Sequence, residues 1–139
     1  MPITVKRVYD PPASSDGLRV LVDRLWPRGL SKATAKIDLW VRELAPSNEL
    51  RRWYAHEAKK WPEFKRRYFS ELKARTQDLN SLHRDASKRK ITLLFASKEP
   101  RLNNAFALKQ FLESRTRTRA QPRRARAAAS RSRAGGKRR

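Results

Sequence analysis

Residues able to handle an anion collect at two points of this sequence, each directly after an apolar run. The first is Asp23-Arg24-Leu25-Trp26-Pro27-Arg28-Gly29-Leu30-Ser31-Lys32, which follows Val20-Leu21-Val22. Pro27 stiffens such a turn, and Gly29 permits a backbone conformation that other residues resist. With Ser31 as N-cap, a helix is expected next, and its first N–H groups would favour negative charge. Arg24, Arg28 and Lys32 add cations, and the Arg28 guanidinium can hold a phosphate or carboxylate through two hydrogen bonds. The second point is Ser97-Lys98-Glu99-Pro100-Arg101-Leu102-Asn103-Asn104, after ITLLFA at 91–96. Here Ser97, Lys98 and Asn103 offer a hydroxyl, an ammonium and an amide.

The expected ligand-binding set is therefore Arg7, Arg24, Trp26, Arg28, Gly29, Lys32, Ser97, Lys98 and Asn103. A plainer alternative stays open at each point. The arginines could pair with Asp10, Asp16 and Asp23 and merely fasten loops, and Asn103 could simply cap a helix. Any chemistry would rest on charge stabilisation by Arg28, Arg24 and Lys98. The catalytic candidates are Tyr9, Asp23 and Lys98, with Tyr9 and Asp23 the nearby proton carriers. Tyr9 reads more readily as a half-buried core residue, and His56 as a surface or capping histidine rather than a base. Trp26, Trp40, Trp53 and Trp61 are expected in the core or packed against loops. Neither loop carries the glycines of a P-loop or dinucleotide fingerprint. No Ser/His/Asp triad, carboxylate pair or metal cluster stands out, so no cofactor and no metal are expected.

The elements that must position these loops follow from periodicity. ITVKRVY (3–9) reads as a strand stopped by Asp10-Pro11-Pro12. LRVLVDRLW (18–26) reads as a second strand, apolar on both faces around Val20-Leu21-Val22, as in a sheet covered on both sides. From Ser31 to about Leu44 a helix is predicted, because Ile37, Trp40, Val41 and Leu44 share one helical face. Ser47 should cap a short helix bearing Leu50, Trp53 and Tyr54. Pro62 suits the first turn of a helix carrying Phe64, Tyr68, Phe69 and Leu72, and Leu79 and Leu82 continue the helical region. ITLLFAS (91–97) is the clearest buried strand, followed by a helix over about Asn103–Ser114. The order predicts an α/β fold: a small Rossmann-like layered domain with a short, mostly parallel sheet flanked by helices.

Composition sets the outer limits. The chain has 139 residues and 38% hydrophobic content, enough for one modest core. It has no cysteine, which removes disulfides, thiolate metal sites and a thiol nucleophile. The start, MPITVKRVYD, lacks a signal-peptide apolar region, and no run approaches the roughly 20 apolar residues of a membrane span. A cytoplasmic location without membrane contact is the expectation. The net charge of +22 is unevenly spread. The ten cations Arg117, Arg119, Arg123, Arg124, Arg126, Arg131, Arg133, Lys137, Arg138 and Arg139 face no acid after Arg115. Setting these ten aside from 35 Lys and Arg leaves 25 basic against 13 acidic residues, or +12, in 1–115. Residues 116–139 hold no aromatic, Leu, Ile or Val, so a disordered basic tail is expected after a 1–115 domain.

Several stretches resemble the YeaO-like family, a group of bacterial proteins within the domain-of-unknown-function 488 group. They are KRVYDPP (6–12), DGLRVLVDRLWPRGLSK (16–32), LAPSNELRRWYAHE (44–57), FKRRYFSEL (64–72) and ITLLFASKEPRLNNAFAL (91–108). The resemblance covers about 1–115, with the long second stretch its most specific part, and leaves the basic segment outside. It implies a small α/β, Rossmann-like domain and no established activity. The family pattern falls on Arg7, Tyr9, Asp16, Arg19, Asp23, Arg24, Trp26, Pro27, Arg28, Gly29, Lys32, Lys98 and Asn103. Members commonly carry Asp or Asn where this chain has Glu99.

Three functions fit these features. The first is a domain, with or without turnover, for an anionic or phosphorylated small molecule such as a nucleotide. The second is a nucleic-acid-associated protein using the basic tail as a nonspecific DNA or RNA arm. The third is a noncatalytic scaffold for acidic proteins, indifferent to small molecules.

Overall fold

The computed structural model describes residues 3–55 and 57–115. The sequence readings of His56 and of the basic segment 116–139 fall outside the described residues. Four strands, β1 (Ile3–Arg7), β2 (Leu18–Leu21), β3 (Leu39–Trp40) and β4 (Ile91–Phe95), form one sheet in the order β1-β4-β2-β3. Every pairing is parallel, with Ile3 beside Ile91, Leu18 beside Ile91, and Val20 beside Leu39. The helices are α1 (Lys32–Ala35), α2 (Asn48–Tyr54), α3 (Trp61–Lys73), α4 (Thr76–Lys88) and α5 (104–115). The α/β architecture and parallel sheet are those expected from the sequence. No described helix is long and apolar enough to cross a membrane.

Period-two alternation divides the central strands between two cores. Val20 and Val22 of the β2 segment, with Ile91, Leu93 and Phe95 of β4, face the large core. There they meet Phe64, Tyr68 and Leu72 of α3, Leu79 and Leu82 of α4, and Leu108 and Leu112 of α5. Leu21 and Leu94 point the other way, into a smaller cluster with Val8, Trp26, Leu30, Ile37 and Trp40. Loops rather than long helices therefore cover the second face.

The helix predicted from Ser31 to Leu44 does not form as one element. Ser31 does cap it, its Oγ accepting the Thr34 N–H at 3.1 Å. After Ala35, however, Lys36 adopts a left-handed backbone conformation and the chain straightens. Asp38 then binds β2 through its carboxylate and its own N–H, both to the Arg19 backbone, and Val41 N–H reaches Leu21 O at 3.0 Å. The spacing of Ile37, Trp40, Val41 and Leu44 imitates a helical face, but a ladder to β2 and a Trp40–Trp26 edge contact at 5.4 Å win locally. The remaining helices lie close to expectation. Ser47 Oγ accepts the Leu50 N–H at the start of α2, Pro62 sits in the first turn of α3, and Asn103 Oδ1 accepts the Phe106 N–H at the start of α5.

Candidate ligand-binding site

β2 and β4 are neighbours, yet the segments that follow them leave toward opposite faces of the sheet. The β2 segment runs into Trp26, Leu30 and Ile37 of the smaller cluster, whereas β4 leads to α5 in the large core. A crevice at the carboxyl ends of two such strands is the usual ligand position in open α/β sheets. A cavity of about 310 Å³ opens there, within the lower range for small-molecule sites. Its apolar wall includes Tyr54, Phe64, Trp26, Pro27, Pro46 and Leu102, and its polar groups include Asp23, Arg24, Arg28, Arg51, Ser97 and Asn104.

Each loop is held by contacts that the strand order brings together. Asp23 Oδ2 accepts the Ala96 N–H at 2.8 Å, and its Oδ1 accepts from Asn104 Nδ2 at 3.1 Å. The same Asn104 amide donates to Val22 O at 2.9 Å, so α5 is tied to the end of β2. Burial pushes the Asp23 carboxyl above its ordinary value, outweighing the hydrogen bonds from Asn104 and Ala96 and the attraction of Arg51. The Asp23 carbonyl accepts from the Trp40 indole at 2.7 Å, and the Trp26 indole donates to Leu30 O at 2.6 Å. Both tryptophans thus pack the turn, as expected. Gly29 closes it at a positive φ of 81°.

The side chains of Arg7, Arg24 and Arg51 are hydrogen-bonded, whereas that of Arg28 is not among the described residues. Arg7 donates to the Ser97 and Ala96 carbonyls at 3.0 and 3.2 Å and lies 4.9 Å from the Tyr9 ring. Arg24 makes long bonds to the Pro46 and Ala45 carbonyls, at 3.3 and 3.5 Å. Arg51 donates to the Asn48 side chain at 3.1 Å. Arg28 is exposed, and its guanidinium has no partner among the described residues. Neither Arg24 nor Arg28 pairs with Asp10, Asp16 or Asp23, so ion pairing does not account for them. That fastening role belongs to Arg19, whose Nη1 lies 2.6 Å from Asp16 Oδ2 under the opposite end of the sheet.

Of the residues expected at the site, Tyr9, Asp23, Arg24, Trp26, Arg28, Ser97 and Asn103 come together around the cavity. Arg7, Gly29, Lys32 and Lys98 are not among its lining residues. Tyr9 donates its hydroxyl to Arg28 O at 2.8 Å, which pins the turn that presents Arg28. Asn103 is buried and donates to Glu99 O while capping α5. Lys32 opens a helix of only four residues, so the helix-end field expected there is small. Arg51 and Asn104 contribute where the sequence signal is weakest. Arg51 looks like the solvent face of a short helix, and Asn104 like part of a cap.

The fold and site together define a parallel α/β domain with a basic-rimmed, aromatic cavity at a strand-end crevice. The chain belongs to the family described as the inactive DUF488-N3 subclade, which it matches over residues 2–132. It is 42% identical over 114 residues to the uncharacterized protein YeaO of Escherichia coli (strain K12), covering 82% of this chain and 99% of that one. It is 36% identical over 113 residues to the uncharacterized protein Rv3073c of Mycobacterium tuberculosis (strain ATCC 25618 / H37Rv), covering 81% and 95%. No solved structure matches. The YeaO-like resemblance is thus a family membership. The alignment with YeaO spans 114 residues, close to the reach of the motifs, while the family match extends to residue 132.

Proposed function

We propose that this chain binds a small anionic compound with a flat or apolar body, such as a nucleotide, and holds it without turnover. The observation that carries this reading is the cavity itself, where the Arg28 guanidinium, without a partner among the described residues, stands with Arg24 and Arg51 around an aromatic wall. Planar guanidinium groups suit phosphate and carboxylate oxygens, and stacked rings suit a flat body. Binding without turnover accords with the description of the subclade as inactive. It also accords with the commitments of the candidate proton carriers, because Tyr9 O–H serves Arg28 O and Asp23 serves Ala96 and Asn104.

The test is a thermal-shift panel of nucleotides and phosphate esters. At about 100 times Kd a ligand adds roughly 2.7 kcal/mol to stability. Arg28→Ala should weaken binding about tenfold or more, by loss of a charge-assisted bond. Unchanged shifts for every ligand in Arg28→Ala would sink the reading.

A second reading concerns residues 116–139, whose ten cations and no acids favour contact with nucleic-acid phosphates. Binding to a random DNA or RNA duplex should fall steeply with salt, by about 0.9 log units per contacted phosphate for each log unit of salt on DNA. Removing 116–139 should abolish it. Undiminished binding by the shortened chain, folded by circular dichroism, would assign the contact to the body instead.

A further inference from the structure

An anion site with a carboxylate inside it calls for an explanation. Asp23 is set deeper than Arg28 and Arg51, both of which are exposed, and its two hydrogen-bond partners, Ala96 and Asn104, themselves line the cavity. An ionised carboxylate offers about four acceptor positions, of which these partners occupy two. It forms no ion pair with Arg24, Arg28 or Arg51 among the described residues. The same cavity is walled by Tyr54, stacked on Phe64 at 4.4 Å.

We propose that Asp23 accepts a hydrogen bond from the inner end of the ligand. The cavity then selects molecules that combine an N–H or O–H donor, an aromatic ring and an anionic group. This rests on the anionic-ligand reading and narrows it. A compact anion gains the arginines but offers nothing to the aromatic wall, so bare phosphate is disfavoured. A site holding a part-buried acceptor also disfavours the analogue that lacks the matching donor, because acceptor positions are then left unfilled. The cost of burying the Asp23 carboxylate, visible in the upward displacement of its pKa, is what such a donor would offset.

The experiment titrates the full chain in about 0.3 M salt, which screens the basic segment, with inorganic phosphate, benzylphosphonate and its 2-, 3- and 4-amino derivatives. At least one amino isomer should bind about tenfold or more tightly than benzylphosphonate. Asp23→Asn should erase that preference, and Arg28→Ala should weaken all the phosphonates. If no amino isomer exceeds benzylphosphonate while Arg28→Ala still weakens binding, the role of Asp23 is wrong and the anionic site stands. If nothing binds, or Arg28→Ala changes nothing, the anionic site itself falls. Should Asp23→Asn fail to fold, the comparison of isomers on the unaltered chain decides.

Discussion

Asp16→Ala is expected to cost about 3–5 kcal/mol of folding stability, the range for removing one partner of a buried pair. Asp16 and Arg19 are both buried, and the Asp16 carboxylate takes Arg19 Nη1 at 2.6 Å, Lys6 Nζ at 3.1 Å and the Ala13 N–H at 3.0 Å. The same guanidinium donates to the Ala35 and Lys36 carbonyls at 2.8 and 3.0 Å, which fixes the end of α1 against β2. Without the carboxylate, a buried cation is left with backbone acceptors alone. Small domains have roughly 5–15 kcal/mol in total, so the variant should be close to unfolding at 37 °C. Denaturant unfolding of the two proteins measures it, and a loss under about 1 kcal/mol would be incompatible with a buried pair.

The same carboxylate sets a pH dependence. Burial pushes the Asp16 pKa up, but the Ala13 N–H, Lys6 and Arg19 outweigh it and hold the value below 3.8. A folded pKa lower than the unfolded one gives stability that is present above the unfolded value. It is lost as pH falls below about 3.8 toward the folded value. Asp16→Ala should therefore flatten the acid side of the stability profile. Asp23, displaced upward, has the opposite sign: its favourable contribution exists at low pH and is lost as pH rises through its folded pKa.

Gly17→Ala is the second large effect, about 2–4 kcal/mol. Gly17 has a φ of 69°, and a Cβ there would lie 2.3 Å from Lys90 O. That carbonyl is also the acceptor for Leu18 N–H at 3.0 Å, the first bond joining β2 to β4. Neither backbone can yield without parting the strands that form the crevice. Gly29 is the internal control: it shares the positive φ, but nothing lies within 4 Å of an added Cβ. Gly29→Ala should cost only about 1–2 kcal/mol of backbone strain, and equal losses for the two glycines would contradict the close approach at Lys90.

Much of this arrangement was legible in the chain. Val20-Leu21-Val22 and Ile91–Phe95 read as strands covered on both sides because both faces meet a core, while their central place in the sheet follows only from the strand pairing. Ser47, Pro62 and Asn103 announce their helix starts through local chemistry. β3 was not legible, since two residues carry no period, and its bond to β2 depends on Asp38 meeting an Arg19 N–H far away in sequence. The site divides in the same way. Asp23, Arg24 and Arg28 follow from the rule that chemistry gathers at strand ends. Arg51 and Asn104 become part of it only when α2 and α5 pack beside β2. Lys32 was drawn in by a helix that ends after Ala35, and Lys98 by a loop whose exposed side chain lies off the cavity lining.

The central claim is a location, namely that an anionic ligand sits between the ends of β2 and β4. An amide chemical-shift map of the full chain, titrated with a nucleoside monophosphate in about 0.3 M salt, tests it most directly. The account predicts that the largest changes fall on residues 23–28 and 96–104, and that Arg28→Ala suppresses them. Changes confined to α4 or to 116–139, with those two loops unmoved, would contradict it.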